Sequence, residues 1–246
     1  IVVAAMIVTG TYLVIENQTY TSVATADSHK KDTEDSNQYI AFSDGVIRYS
    51  RDGVVFLNKK NKEKWIQPCQ IQNPIVDVNE DVFAIADVGG NTIMIFQKSG
   101  LKGEIETTLP IEKISVSNQG IVSAILKNES TPQIISYDAV GNILVEHQVN
   151  LNSTGYPISL DMSADGENLM VSYLSTKNGT LKSMVAFYNF GKEGQEKTDN
   201  LIYTEDFDQT VVPDVFYMDA STSVAVGDKS FVIYEGTKSV KKKTEV

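Results

Sequence analysis

Residues Leu160–Tyr173 read LDMSADGENLMVSY, which is the pattern of two β-strands joined by a tight turn. Apolar and polar residues alternate before the turn, and a run of apolar and aromatic residues follows it. Between the two runs, Ser163–Gly166 (SADG) is a cluster of turn-forming residues. The stretch therefore predicts an antiparallel hairpin.

The same order of strand, polar turn and strongly apolar strand recurs along the chain. It is found in three further stretches: Val76–Asp87, Ile114–Leu126 and Phe216–Gly227. We align four positions as equivalent: Asp77, Ser115, Asp161 and Tyr217. A second hairpin follows each stretch, so the repeating unit is four strands over about 40 to 55 residues, the length of a β-propeller blade.

From Tyr39 onward the apolar residues follow a period of two, and no segment has the pattern of an amphipathic helix. The sequence therefore predicts an all-β protein, a β-propeller of four-stranded antiparallel blades. The chain between Tyr39 and Val246 has room for about five blades. Both a closed ring of five blades and an incomplete ring fit this number, and we expect the natural product to continue beyond Val246.

Two stretches carry a resemblance to known propellers. The segment SADGENLMVSY resembles the strand-turn-strand unit of the WD40-like and TolB-like superfamily, and Gly53–Gln67 (GVVFLNKKNKEKWIQ) resembles the third and fourth strands of a quinoprotein-type blade. In that blade a tryptophan docks onto the neighbouring blade, and here it would be Trp65. The whole layout is similar to an uncharacterised family of membrane-anchored propeller proteins from Gram-positive bacteria. The resemblance implies a fold and a location but no site residue.

The first 38 residues predict attachment to a membrane. Ile1–Ile15 carries no charge, and the polar segment that follows has the composition of a tether. We therefore predict a transmembrane signal anchor at residues 1–15, truncated at its N-terminus, a polar stalk at 16–38 and a propeller domain at 39–246. Two alternatives stay open: a signal peptide cleaved after Ala24-Thr25-Ala26, and a buried strand. With either the anchor or the signal peptide, the propeller is outside the cytoplasm.

Charge and cysteine content exclude some classes of protein. The formal net charge is -11 and the chain has two arginines, Arg48 and Arg51, which argues against a nucleic-acid partner. The basic run Lys241–Lys243 is interpreted as a solvated tail. Cys69 is the single cysteine, so no disulfide forms within the chain.

No catalytic, cofactor-binding or metal-binding residue is predicted. Asp161, Ser163 and Asp165 have the spacing of a calcium loop, but the twelfth position is Ser172 where a glutamate is needed, so a hairpin turn is the better interpretation. His147 lacks an evident partner for a triad, and His29 lies in the stalk. One tryptophan, one cysteine and two arginines also argue against a quinoprotein dehydrogenase and a sialidase.

Three functional hypotheses remain. The first is a non-catalytic, membrane-tethered propeller at the cell membrane that binds a protein or a cell-envelope partner. The second is an envelope hydrolase or lyase with a carboxylate site in the propeller channel, and the third is the extracellular sensor of a signalling protein. Because the apolar strands are committed to packing, recognition is predicted on loops, with two long loops as candidates: Ser175–Thr180 and Gly191–Asn200.

Overall fold

The computed structural model of the chain describes residues 12, 22, 37–177, 179–237 and 240–245. These residues form five four-stranded antiparallel sheets, and within each sheet every strand pairs with its neighbour in the chain. The prediction of an all-β protein built from four-strand units is confirmed. Nearly all of the predicted anchor and of the predicted stalk lies outside the described residues.

The strands have the following bounds. Sheet 1 contains β1 (Gln38–Phe42), β2 (Gly45–Ser50), β3 (Gly53–Asn58) and β4 (Glu63–Pro68). Sheet 2 contains β5 (Pro74–Asn79), β6 (Val82–Asp87), β7 (Thr92–Gln97) and β8 (Gly100–Glu106). Sheet 3 contains β9 (Ile111–Val116), β10 (Val122–Leu126), β11 (Gln133–Tyr137) and β12 (Ile143–Gln148).

Sheet 4 contains β13 (Tyr156–Met162), β14 (Asn168–Lys177), β15 (Thr180–Asn189) and β16 (Leu201–Asp208). Sheet 5 contains β17 (Asp214–Tyr217), β18 (Thr222–Val226), β19 (Phe231–Glu235) and β20 (Lys241–Glu245). A short helix, α1 (Lys192–Gln195), and a 3-10 turn, Thr198–Asn200, connect β15 to β16. No helix within the described residues has the length and the apolar character that crossing a membrane requires.

The sheets pack face to face in chain order. Four hydrophobic clusters join sheet 1 to sheet 2, sheet 2 to sheet 3, sheet 3 to sheet 4 and sheet 4 to sheet 5. The first strands of sheets 2 to 5 lie beside one another, so they form the innermost layer. In the part of the chain that the structure describes, no such cluster joins sheet 5 to sheet 1.

The five sheets share one irregularity. In each of them the register shifts between the third and the fourth strand, for example between Phe56 and Leu57 in sheet 1 and between Ile95 and Phe96 in sheet 2. A bulge at this place increases the local twist of the outermost strand. The five units are therefore equivalent in detail as well as in strand number.

The turn Ser163–Gly166 joins β13 to β14. Gly166 has a φ of +73°, in the left-handed region that glycine adopts without strain. The Ser163 hydroxyl donates a hydrogen bond to Asp165 Oδ1 over 2.6 Å and accepts one from the Asn168 amide over 3.0 Å. The predicted hairpin is confirmed.

Trp65 docks sheet 1 onto sheet 2. Its ring stacks on Phe96 with centroids 5.1 Å apart, and its Nε1 donates a hydrogen bond to the Lys98 carbonyl oxygen over 3.1 Å. The predicted docking role of this residue is confirmed. The other sheet contacts use aliphatic, phenylalanine and tyrosine side chains, because the chain has no second tryptophan.

Two local predictions are wrong. Ser175 lies within β14 and Thr180 begins β15, so the predicted loop between them is the end of two ten-residue strands. The segment Gly191–Asn200, by contrast, does connect two strands as predicted, and it contains α1 and the 3-10 turn. The basic run Lys241–Lys243 belongs to β20, where cross-strand pairing with β19 orders it.

Candidate functional site

A repeated hydrogen bond ties each innermost strand to the next. Asp77 Oδ2 accepts from the Val116 amide over 2.6 Å, and the Ser115 hydroxyl accepts from the Met162 amide over 3.0 Å. Asp161 Oδ2 accepts from the Tyr217 amide over 2.6 Å. One side chain from each strand thus satisfies a backbone donor on the following sheet, which would otherwise be left unpaired.

This repeat corrects the alignment of the four units. Each acceptor side chain binds the backbone amide one residue after the equivalent position of the next sheet. Because Asp161 binds the amide of Tyr217, the fourth equivalent position is Phe216 and not Tyr217. In sheet 5 an apolar side chain therefore replaces the acceptor. Phe216 is 39% exposed, whereas Ser115 is buried at the same position of sheet 3.

Asp77 and Asp161 are connected through this network. The Ser115 hydroxyl donates a hydrogen bond to Asp161 Oδ1 over 2.8 Å. Burial raises the pKa of Asp161 to about 7, and the negative charge of Asp77 adds to the effect, while the hydrogen bond from the Tyr217 amide opposes it. Burial also raises the pKa of Asp77, against the hydrogen bond from the Val116 amide. Both carboxyl groups therefore have a weakened tendency to ionise.

A concave surface lies where the innermost strands of sheets 2 to 5 end, and we call it the mouth. Its volume is about 690 Å³, and its residues come from the four turns that follow β5, β9, β13 and β17 and from the ends of three of these strands. Asp77 and Asp161 are among its lining residues, which also include Glu80, Asn118, Asp165, Phe216, Met218 and Asp219. Met218 is 64% exposed.

Hydrogen bonds between the turns hold the mouth in shape. The Asn118 amide donates to the Ala164 carbonyl oxygen over 2.9 Å, and Gln119 Nε2 donates to the Asp165 carbonyl oxygen over 3.1 Å. Asn118 Nδ2 also donates to Glu80 Oε2 over 3.3 Å. The turns of sheets 2, 3 and 4 are thus fixed against one another, which makes the surface preorganised.

The turn after β17 is fixed by its own side chain. Asp219 Oδ1 accepts hydrogen bonds from the amides of Ser221 and Thr222, each over 2.7 Å. These bonds, first that of the Ser221 amide, lower the pKa of Asp219, so this carboxylate is charged at neutral pH. Met218 is presented beside it on an ordered turn, because its amide donates to the Thr222 carbonyl oxygen over 2.8 Å.

The candidate calcium residues serve the fold. Asp161 binds the neighbouring strand, and Asp165 Oδ1 accepts from the Ser163 hydroxyl and, over 3.0 Å, from the Glu167 amide. Ser172 is buried within β14, where its hydroxyl donates to the Val212 carbonyl oxygen over 2.6 Å. Among the described residues no group of three or more histidine, cysteine, aspartate or glutamate side chains is placed to hold a metal ion.

His147 lies in a different cavity, of about 660 Å³, between sheets 3 and 4. Its ring lies 4.7 Å from Tyr188 and 5.8 Å from Phe190 between centroids, and burial lowers its pKa while the charge of Asp199 opposes this. Within the part of the molecule that the structure describes, its Nε2 has no hydrogen-bond partner. A neutral imidazole without a hydroxyl or carboxylate partner at Nε2 does not form a triad. His29 lies outside the described residues.

The sequence does not predict the mouth; it indicates two other segments as contact loops. The described lining of the mouth contains no residue of Ser175–Thr180 or of Gly191–Asn200. A signal was present in the sequence, since Phe216-Tyr217-Met218 places large apolar residues directly before the polar turn Asp219-Ala220-Ser221. Their exposure, however, depends on which faces of sheet 5 are covered.

Comparisons with solved structures support the propeller architecture. The chain is similar to Kluyveromyces lactis Hsv2, with a TM-score of 0.58 and 8% identity over 85% of this chain and 73% of that one. It is also similar to Kuenenia stuttgartiensis hydrazine synthase, with a TM-score of 0.57 and 12% identity over 89% and 69% of the two chains. At such identities the likeness shows the fold alone.

The WD40 domain of Neurospora crassa Pan2 is a further structural neighbour. The TM-score is 0.55 and the identity 14%, and the match covers 80% of this chain and 60% of that one, so the chain spans less than two thirds of the Pan2 domain. No curated protein matches the sequence. A family model described as "Family of unknown function (DUF5711)" matches residues 16–246. This match, together with the similar propeller structures, confirms the expected resemblance to an uncharacterised family with a propeller fold.

Proposed function

Since this chain belongs to the DUF5711 family, which is described as having no known function, we propose a function from the geometry of its own site. The protein is a non-catalytic binding module, a propeller tethered to the cell membrane and placed outside the cytoplasm, and it holds a protein or a cell-envelope partner at the mouth. Propellers such as the WD40 domains are typical interaction scaffolds, and this supports the class of function.

The exposed apolar wall of the mouth is the observation that carries this proposal. Phe216 is 39% exposed and Met218 is 64% exposed, and both line one concave surface. Large apolar side chains at an ordered concave surface are typical of contact sites, where aromatic residues and methionine are enriched. Burial of these side chains by a partner lowers the free energy of the complex.

The carboxyl groups at the floor of the mouth support a non-catalytic role. Asp77 and Asp161 each accept a backbone amide from the following sheet at 2.6 Å. A carboxylate that binds a structural amide has fewer lone pairs left for a substrate. These two residues hold neighbouring sheets in register, and the mouth around them offers contact area.

The binding surface can be tested with the full chain in its own cells. The double variant Phe216→Ser, Met218→Ser and a control variant, Ile66→Ser, are expressed with a cross-linkable tag. Ile66 is 56% exposed on β4 and does not line the mouth, so it is a matched loss of apolar surface. We expect the mouth variant to lose cross-linked partners that the control and the parent chain retain. Equal cross-linking by all three proteins would refute the mouth as the binding surface.

Tethering needs a separate test. The uncharged run Ile1–Ile15 followed by a polar segment supports an anchor. After fractionation of cells that express the full-length gene, we expect the protein to stay with the membrane during a carbonate wash and to be digested by external protease. Release into the wash, or a mature N-terminus at Asp27, would exclude the anchor.

A carboxylate-based envelope hydrolase is a second candidate, and one observation favours it. The raised pKa of Asp161, about 7, beside a second carboxyl group is the arrangement of an acid that can give up a proton near neutral pH. This candidate predicts that the purified full chain hydrolyses an envelope polymer and that Asp161→Asn abolishes the activity. Activity that survives in Asp161→Asn would exclude Asp161 as its acid.

A further inference from the structure

The mouth carries charge of one sign. Three carboxylates, Glu80, Asp165 and Asp219, lie around its apolar wall. Among the described residues that line the mouth there is no lysine or arginine. Charges of one sign within a concave surface reinforce one another, so the mouth attracts cations and repels anions.

The charged and apolar parts of the mouth are adjacent in the chain and fixed in space. Met218 and Asp219 are successive residues on one turn, and Asp219 is bonded to the amides of Ser221 and Thr222. Glu80 lies at the other end of the row of first strands, on the turn of sheet 2, and it is bonded to Asn118, whose own amide binds the sheet 4 turn. A partner therefore meets an apolar surface with carboxylates on both sides of it.

We propose that the mouth binds a protein segment in which a large apolar side chain stands between lysine or arginine residues. The apolar side chain packs against Phe216 and Met218, and the cationic side chains pair with Glu80 on one side and with Asp165 and Asp219 on the other. This inference rests on the proposed binding function and names its partner. It excludes polyanionic envelope polymers, because their charge has the same sign as that of the mouth.

The proposal is tested with three synthetic peptides of equal length as probes and the full chain in detergent. One peptide has a Lys-Leu-Lys centre, the second Lys-Gly-Lys and the third Glu-Leu-Glu, all between neutral flanks. We expect the Lys-Leu-Lys peptide to bind, the Lys-Gly-Lys peptide to bind about tenfold or more weakly because it lacks the apolar contact, and the Glu-Leu-Glu peptide not to bind. Raising the salt concentration should weaken the first complex.

Variants locate the binding. Glu80→Gln with Asp219→Asn keeps the hydrogen-bond acceptors that shape the turns but removes two charges, and we expect affinity for Lys-Leu-Lys to fall about threefold to tenfold. The control, Glu63→Gln with Glu129→Gln, removes two exposed charges outside the mouth and should leave affinity unchanged. Thermal unfolding of each variant shows whether its fold is intact.

The outcomes separate this inference from the function on which it rests. Absence of Lys-Leu-Lys binding, equal binding of the acidic peptide, or equal losses in both charge variants would overturn the inference. If polyphosphate, used as a polyanion probe, competes for the mouth, the inference is also wrong. In each of these cases the cross-linking experiment with Phe216→Ser, Met218→Ser still decides whether the mouth is a binding surface at all.

Discussion

Sheets 2 and 3 differ from sheet 5 in how their second and third strands are covered. All five residues of β10 are buried, as are five of the six in β6, whereas burial alternates along β19, with Phe231 39% exposed and Val232 buried. The sequences are alike, since FVIY in β19 is as apolar as VFAIA in β6. The sheets differ in their neighbours. Sheets 2 and 3 are packed on both faces, whereas sheet 5, within the described residues, is packed on one face.

The same difference appears on the innermost strands. In sheets 2, 3 and 4 the equivalent side chains Asp77, Ser115 and Asp161 are polar and each binds the next sheet. In sheet 5 the equivalent Phe216 lines the mouth. A covered sheet thus uses this position to build the fold, whereas in sheet 5 the side chain stays exposed at the mouth.

The largest effect is expected from a substitution that disrupts the packing of a covered sheet. Phe83 is fully buried between sheets 1 and 2, so Phe83→Ala removes buried surface and leaves a cavity, at a cost of about 3–5 kcal/mol. Phe231→Ala, the matched change on the exposed face of sheet 5, should cost about 1 kcal/mol or less. Urea unfolding followed by circular dichroism measures both. Equal losses would show that the two faces are covered alike in solution.

The second prediction concerns the pH dependence of the contact between sheets 4 and 5. The pKa of Asp161 is about 7 in the fold and about 4 in an unfolded chain, so folding favours its protonated form. Its contribution to stability is complete below about pH 4 and is lost as the pH rises to 7, by at most about 1.4 kcal/mol per pH unit.

The variant Asp161→Asn isolates this contribution. Asparagine keeps an acceptor for the Tyr217 amide but does not ionise, so the variant should equal the parent at pH 4 and gain stability relative to it towards pH 8. Urea unfolding at four pH values measures the difference. A difference that does not depend on pH would show that Asp161 titrates normally.

The third prediction tests the single tryptophan contact. Trp65→Phe keeps an aromatic ring against Phe96 but removes the hydrogen bond from Nε1 to the Lys98 carbonyl oxygen. We expect a loss of about 1 kcal/mol in the free energy of unfolding, and Trp65→Ala should cost more because the stacking is also lost. If both variants lose the same amount, the stacking contributes nothing to docking.

The smallest expected effect is at the outer edge of sheet 5. Lys242 Nζ lies 2.8 Å from Glu205 Oε1 on β16 and 2.7 Å from Glu245 Oε2, and the groups are partly exposed. Lys242→Gln should therefore cost less than about 1 kcal/mol, and the loss should shrink at high salt. A loss as large as that of Phe83→Ala would mean that this edge holds sheet 5 in place.

Much of the fold could be predicted from the sequence because its signals are local. Period-two strands, the SADG turn and the recurrence of the unit depend on residues near one another in the chain, and all three are found in the structure. The predictions that failed depend on distant residues. Ser175–Thr180 has the composition of a loop, but Ser175 lies in β14 and Thr180 in β15, and these two long strands pair with each other. Lys241–Lys243 is ordered by pairing with β19.

The sequence by itself determined the all-β class and the four-strand unit, since alternation and turn chemistry act over a few residues. The docking role of Trp65 was implied by the resemblance to a quinoprotein-type blade. Only the tertiary structure decided that Asp77, Ser115 and Asp161 bind neighbouring sheets and that Phe216 and Met218 line the mouth with Glu80 and Asp219. These residues lie as much as 142 positions apart. They meet because the sheets pack in order with their first strands innermost, and that arrangement has no signature in any single segment.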